Sequence, residues 1–374
     1  MTGMLPLSGT VVLDLSRMLP GAVLARTLID LGARLIKIEE PGSGDPMRLA
    51  PPFADGTGAG FQAFYRGAES VVLDLKTPEG AEALRGLAAH ADVLIESFRP
   101  GTLARWGLAP EALQALNPAL TICSLSGFGQ DGGVGHDLNL QAFSGLLATL
   151  PGDGIPGIQI ADVTTGILAS SSILAALLLR ARTGRGSRLD QPLASAPLPF
   201  LTWAWANASA GGTGVLEHIL AGESPSYQVY RCADGERIAL GAIEPKFWRD
   251  LVALLELPDL AEAGLSTGKR GAAAIRQVAE RFAQQPRAHW LKLAAERGLP
   301  LSAVNDLSAA RQEAYYRARM EATPLAGGGH LETPGPYLEG WPKPMLPPAP
   351  PLGAHTEAVL KEFGPASRAN PEPR

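Results

Sequence analysis

Along the first 126 residues the hydrophobic pattern switches repeatedly between two periods. The run "GTVVLDLS" (9–16) reads as a buried strand, and "RLIKIEEPG" (34–42), stopped by Pro41-Gly42, "SVVLDLK" (70–76) and "DVLIESF" (92–98) read as strands too. Between them, "GAVLARTLIDLGA" (21–33) and "TPEGAEALRGLAAHA" (77–91) space apolar side chains three and four apart, which predicts helices. The second helix opens well, with Thr77 as N-cap, Pro78 at the first position and Glu79 in the first turn. "APEALQALNPALTICSLSG" (109–127) adds another helix and strand. Alternation at this spacing predicts βαβ units and a parallel, doubly wound sheet.

The texture then changes. Residues 138–182 read as mostly helical, with a Gly/Pro loop "PGDGIPG" at 151–157. "SRLDQPL" (187–193) reads as a short strand and 194–210 as a helical run. "SPSYQVYRCADGERIALGAIEPKFW" reads as a hairpin turning at Ala233-Asp234-Gly235, and helical stretches follow near 246–257, 271–284 and 286–297. That is a smaller α+β unit. The Pro/Gly-rich tail after Pro324 ends in a short helix, "HTEAVLKEF", and is expected to return across the first domain. The expected division is a large domain at 1–200 completed by 325–374, and a small α+β domain with linkers at 201–324.

Composition narrows the classes. The net charge of −5, with no Lys/Arg run interleaved with aromatics, disfavours nucleic acid as a partner. Cys123 and Cys232 are the two cysteines and lack metal-ligand spacing, so no zinc site or disulfide is expected and a reducing, cytoplasmic setting fits. The N-terminal stretch lacks the basic start and long apolar core of a signal peptide. "GILASSSILAALLLR" (166–180) reads as a buried helix, short of the roughly 18 to 20 apolar residues that a membrane span needs. The turn after the first strand, "SRMLPGAV", has one glycine where a dinucleotide fingerprint has three, and no phosphate-loop motif occurs.

Six side chains stand out. Asp162 heads the most apolar helix, either as a first-turn acid favoured by the helix dipole or as a carboxylate tuned for proton transfer. His136 sits in a Gly-rich turn, and Asp137 beside it reads as the N-cap of the helix that starts at Leu138. Glu244 follows a strand and precedes a helix. Lys37 and Arg99 lie just beyond strand ends, where open parallel sheets collect ligands and where salt bridges are equally available.

At these residues the chain resembles a known family, the class III coenzyme A transferases, and within it the α-methylacyl-CoA racemases. The likeness runs from about residue 7 to about 360. It is carried by "LSGTVVLDLSRMLPGAVLARTLIDLGARLIKIEEPGSGDPMR", "ADVLIESFRPGTLARWGL", "SLSGFGQDGG", "GHDLN", "GRGSRLD", "CADGERIALGAIEPKFW" and "LGAHTEAVL", in that order. The resemblance implies an acyl-CoA enzyme with a Rossmann-like CoA-binding large domain, working as an interlocked homodimer in lipid metabolism, with no cofactor beyond the CoA moiety and no bound metal. It matches Lys37 and Arg99 to residues contacting CoA, and Asp162 to the family's aspartate. In transferases that aspartate forms an anhydride, and in racemases it is one of two proton-transfer bases. Gly135-His136-Asp137 matches the racemase motif, where transferases usually carry an aromatic in the middle position. Glu244 matches a glutamate near the histidine of the partner chain. Ala68 and Glu69 stand where the family usually has a basic pair. The expected activity is therefore 2-methylacyl-CoA epimerisation, with CoA transfer as the alternative.

Overall fold

In a computed structural model, residues 4–129, 132–150, 152, 154–212 and 214–363 are described. Pro151 and Asp153, in the expected 151–157 loop, lie outside them. Six strands form one parallel sheet: β1 (Val11–Leu15), β2 (Arg34–Glu39), β3 (Glu69–Val72), β4 (Val93–Glu96), β5 (Thr121–Ser124) and β6 (Arg188–Asp190). Their order is β3-β2-β1-β4-β5-β6. The chain winds outward from β1 to β3, then crosses back to lay β4 on the other side of β1. That reversal is the topological switch point, where loops at the strand ends diverge and leave a crevice.

Alternation along each strand feeds two cores. Val12, Leu35, Val93, Ile95 and Cys123 face one side, with α1 (Met18–Asp30) and α5 (Ile160–Thr183) contributing Leu24, Leu28, Ala169 and Ile173. Leu13, Leu15, Ile36, Leu94 and Ile122 face the other, against α2 (Pro78–Ala88) through Leu84 and Leu87, α3 (Pro110–Leu116) through Leu113, and the C-terminal helix α6 (Thr356–Phe363) through Val359. β3 stops at Val72, earlier than its apolar run suggests. There Asp74 captures the Lys76 amide (3.0 Å) on its carboxylate and the Thr77 amide (3.1 Å) on its carbonyl, turning the chain into α2.

α1 and α5 cross in close contact at Gly166, where a Cβ would stand 2.7 Å from both the Pro20 carbonyl oxygen and the Val23 Cβ. Only glycine admits that approach. α5 runs for 24 residues, longer than the 166–180 segment read from the sequence, and by length and apolarity it could cross a membrane. One face carries Thr165, Gly166, Ala169 and Ile173 into the core, while Ile167, Leu178 and Leu179 are exposed.

By chain contacts the molecule divides into two units. One comprises residues 1–144, 156–198 and 318–374, and the other 145–155 and 199–317. The second unit has an antiparallel sheet of Tyr227–Arg231, Arg237–Gly241 and Leu301–Ala303. Its core gathers Tyr230, Trp248, Leu251, Val278, Phe282 and Trp290 from the sheet and the helices Pro245–Leu254, Gly268–Phe282 and Arg287–Arg297. Cys123 and Cys232 are both free and buried.

Candidate active site

Two helix starts meet in the first unit. Helix α4 (Asp137–Ser144) begins after the Gly-rich turn, with His136 as the residue before it. The Asn139 side chain reaches back to accept the His136 amide (3.0 Å), and the Asn139 amide donates to the His136 carbonyl (2.8 Å). This reciprocal pair fixes the backbone at His136, whose side chain is exposed. Helix α5 has Gln159 before it, and that side chain supplies no cap.

The missing cap comes from α4. One oxygen of Asp137 accepts the Asp162 backbone amide at 3.1 Å, and its other oxygen accepts the Gln141 amide at 2.5 Å. The expectation that Asp137 caps its own helix is thus corrected. Asp137 is the first residue within α4, and its carboxylate satisfies a donor of α5, a helix whose amides gain from a negative charge nearby.

Asp162 lies half-buried in the first turn of α5, and its carboxyl has no hydrogen-bond partner among the described residues. Burial pushes its pKa up to about 6, and the negative charge of Asp137 pushes the same way, while His136 opposes them. A carboxyl with its pKa raised toward 6 is suited to both taking and giving a proton near neutral pH. The sequence-predicted His136 and Asp162 are thus close enough for their charges to interact, and the Asp137 carboxylate touches the Asp162 backbone. Glu244 belongs to the second unit, where it is exposed at the start of the helix Pro245–Leu254.

The raised value has a consequence for stability. Because the folded-state value of about 6 exceeds the ordinary 3.8, ionised Asp162 costs stability. The cost is complete above pH 6 or so, shrinks as pH falls toward 4, and vanishes below. Asp162→Asn is expected to raise stability by about 1–2 kcal/mol at pH 8, after discounting for partial exposure, and to change little at pH 4. Calorimetry at the two pH values checks this.

A second site lies at the switch point. Residues following β1, β2, β3 and β4 enclose a cavity of about 180 Å³, lined by Ser16, Arg17, Lys37, Glu40, Lys76 and Phe98 among others. Lys37 forms its floor and is 1% exposed; its ammonium lies 3.1 Å from Asp14, 3.0 Å from Asp45 and 2.5 Å from the Ser16 carbonyl. The Tyr65 ring lies 4.7 Å away. Burial alone disfavours the ammonium, yet the facing Asp14, Tyr65 and Asp45 hold its pKa well above the ordinary lysine value. Its charge is thus directed inward.

The exposed cations at the rim are Arg17, paired with Glu40 at 3.1 Å and lying over the Phe98 ring, and Lys76. Sequence reading passed over both, because Lys76 looked like the end of a strand. Arg99 is exposed just past β4 and does not line the cavity. Glu69 receives the Arg34 guanidinium at 2.8 and 3.0 Å, and Arg34 also holds Glu362 of α6.

The whole arrangement has relatives. The family model "CoA-transferase family III" matches residues 7–356. Human alpha-methylacyl-CoA racemase is 33% identical over 96% of this chain and 93% of its own length. Mouse succinyl-CoA:glutarate CoA-transferase is 32% identical over 96% of this chain and 86% of its own. The crystal structure of a CAIB/BAIF family protein from Brucella suis superposes with a TM-score of 0.80 at 31% identity, covering 96% of this chain and 99% of the other. With a parallel sheet, a switch-point cavity and a carboxyl at a helix start, the chain belongs to CoA-transferase family III, a family of enzymes acting on acyl-CoA thioesters.

Proposed function

We propose that this chain is an α-methylacyl-CoA racemase that epimerises the 2-position of 2-methylacyl-CoA thioesters by 1,1-proton transfer. The observation that carries the reading is the charge interaction of His136 with Asp162, with the Asp162 carboxyl held near neutrality. One group takes the α-proton, and the C–H electron pair moves into the thioester as an enolate. The other group then returns a proton to the opposite face. Amides at the starts of α4 and α5 are the natural donors to the enolate oxygen. The pair must hold one proton between them for inversion to occur. On this reading no cofactor or metal is needed beyond the CoA moiety of the substrate.

The CoA end is placed at the switch-point cavity, with Lys76 and Arg17 as its cations. Lys76→Ala is expected to raise KM for acyl-CoA about 5- to 30-fold, the loss of one charge-assisted contact, with kcat nearly unchanged. Steady-state kinetics reads this directly; an unaltered KM would move the CoA end elsewhere. An interlocked homodimer that brings Glu244 to the partner's His136 also belongs to the proposal. It is supported by the large exposed side chains Phe200, Trp203 and Trp205 of the helix Leu198–Ser209, which call for cover. Cytoplasmic lipid metabolism is the setting proposed.

One observation favours a second reading. The Asp162 carboxylate has no hydrogen-bond partner among the described residues, so it is free to attack a thioester carbonyl, expelling CoA thiolate and forming an anhydride, as a CoA transferase would. His136→Phe separates the two. It abolishes inversion in a racemase, whereas a transferase keeps moving CoA to a free acid and yields an Asp162 hydroxamate when trapped with hydroxylamine.

A further inference from the structure

The Asp137 carboxylate bridges the two helix starts, and something must hold it there. Gln141 lies one turn along α4, is 1% exposed, and donates its side-chain amide to Asp137 at 2.5 Å. The other end of that amide is anomalous: the Gln141 carbonyl oxygen is buried and has no donor among the described residues. A buried amide oxygen without a donor is costly, so an apolar side chain at this core-facing position would suit packing better. Local rules broken in this way concentrate at functional sites.

We propose that Gln141 is a positioning residue for the acid–base site, clamping the Asp137 carboxylate against the first turn of α5 so that its charge acts on Asp162. The amide's nitrogen end must face Asp137, because its oxygen end would repel the carboxylate. The clamp and the Asp162 backbone amide then occupy both Asp137 oxygens, so the side chain cannot swing into water. The groups that face Asp162 electrostatically are Asp137 and His136. Helix α1 and the Leu193–Ser195 turn, which pack against α5 and α4, bring no competing charge; the only charged residues of α1, Arg26 and Asp30, pair with each other at 2.6 Å. Released from Gln141, Asp137 would move its charge into solvent, where it is screened. The inference rests on the reading of Asp162 as a proton-transfer group, but it can be tested without substrate.

The test is a carboxyl NMR titration of the full chain, labelled at the aspartate carboxyl carbon and assigned with Asp162→Asn. In wild type the Asp162 signal should titrate at about 6. In Gln141→Met it should titrate measurably lower, while burial, the larger cause of the raised value, still keeps it above the ordinary carboxylate range. Gln141→Asn, too short by one methylene to reach Asp137, should do the same with little loss of volume. The acid limb of the α-exchange pH profile should shift downward in parallel, with KM unchanged. In wild type, the Gln141 side-chain amide protons should also exchange slowly and shift as Asp162 titrates. Unmoved Asp162 titration in a folded variant, or a fast-exchanging Gln141 amide in wild type, overturns the proposal. A shifted titration with no α-exchange in wild type keeps the clamp and sinks the racemase reading instead.

Discussion

Asp162→Asn is expected to stop inversion while leaving half of the proton chemistry running. Asparagine keeps the shape of the first turn of α5 but can neither take nor give the α-proton. His136 remains able to remove the proton from whichever enantiomer presents it on that face, and to return a deuteron from D₂O to the same face. The variant should therefore exchange one enantiomer with retention, leave the other untouched, and invert neither. The loss of inversion should be about 10²- to 10⁴-fold, the usual worth of one positioned acid–base group. His136→Ala should show the complementary pattern, exchanging only the opposite enantiomer through Asp162. Chiral separation of the hydrolysed acids with deuterium counting checks both. Loss of the same enantiomer's exchange in both variants would place the two groups on one face and contradict a two-base mechanism.

Lys37→Met is expected to be among the most destabilising single changes in the first unit. The ammonium is enclosed by Asp14, Asp45 and the Ser16 carbonyl, with 1% of the side chain exposed. Removing it leaves two buried carboxylates facing each other without a cation, a loss of about 3–5 kcal/mol. Methionine fills the volume, so the effect is electrostatic rather than a cavity. Adding Asp14→Asn should recover part of the loss, because it removes one of the uncompensated charges. The penalty should also shrink on acidification as the stranded carboxylates take up protons. Denaturant unfolding of the single and double variants checks this. A loss below about 1 kcal/mol would mean that the Lys37 charge is directed at a ligand, and KM for acyl-CoA should then rise instead.

The parts of this molecule legible from sequence are those encoded by local periodicity. Strands such as 11–15 and 34–39 carry short β-branched and apolar runs, and each helix between them presents its apolar side chains three and four apart, so a parallel sheet followed directly. His136 and Asp162 were legible as candidates because polar residues at the start of apolar helices need a reason. What periodicity does not encode is which residues meet. Asp137 is adjacent to His136 in the chain, yet its partner is an amide 25 positions away in α5, so its role as a shared cap was invisible. Gln141 carried no signal for the same reason. Lys37 read as lying just beyond a strand end, but it sits within β2, where the pairing of β1 with β2 sets Asp14 beside it and its charge is consumed internally. Lys76 was hidden by the apolar run before it, since the Asp74 turn that ends β3 depends on side-chain hydrogen bonding rather than on hydrophobicity.

The central claim is that His136 and Asp162 move one α-proton between two faces. The most direct measurement is to incubate a single enantiomer of a 2-methylacyl-CoA with the protein in D₂O and follow the α-position by NMR alongside chiral analysis. The account predicts deuterium incorporation that accompanies inversion, ending in a racemic, α-deuterated thioester without any free acid acceptor. An α-proton that stays in place while CoA passes to an added carboxylic acid would contradict it.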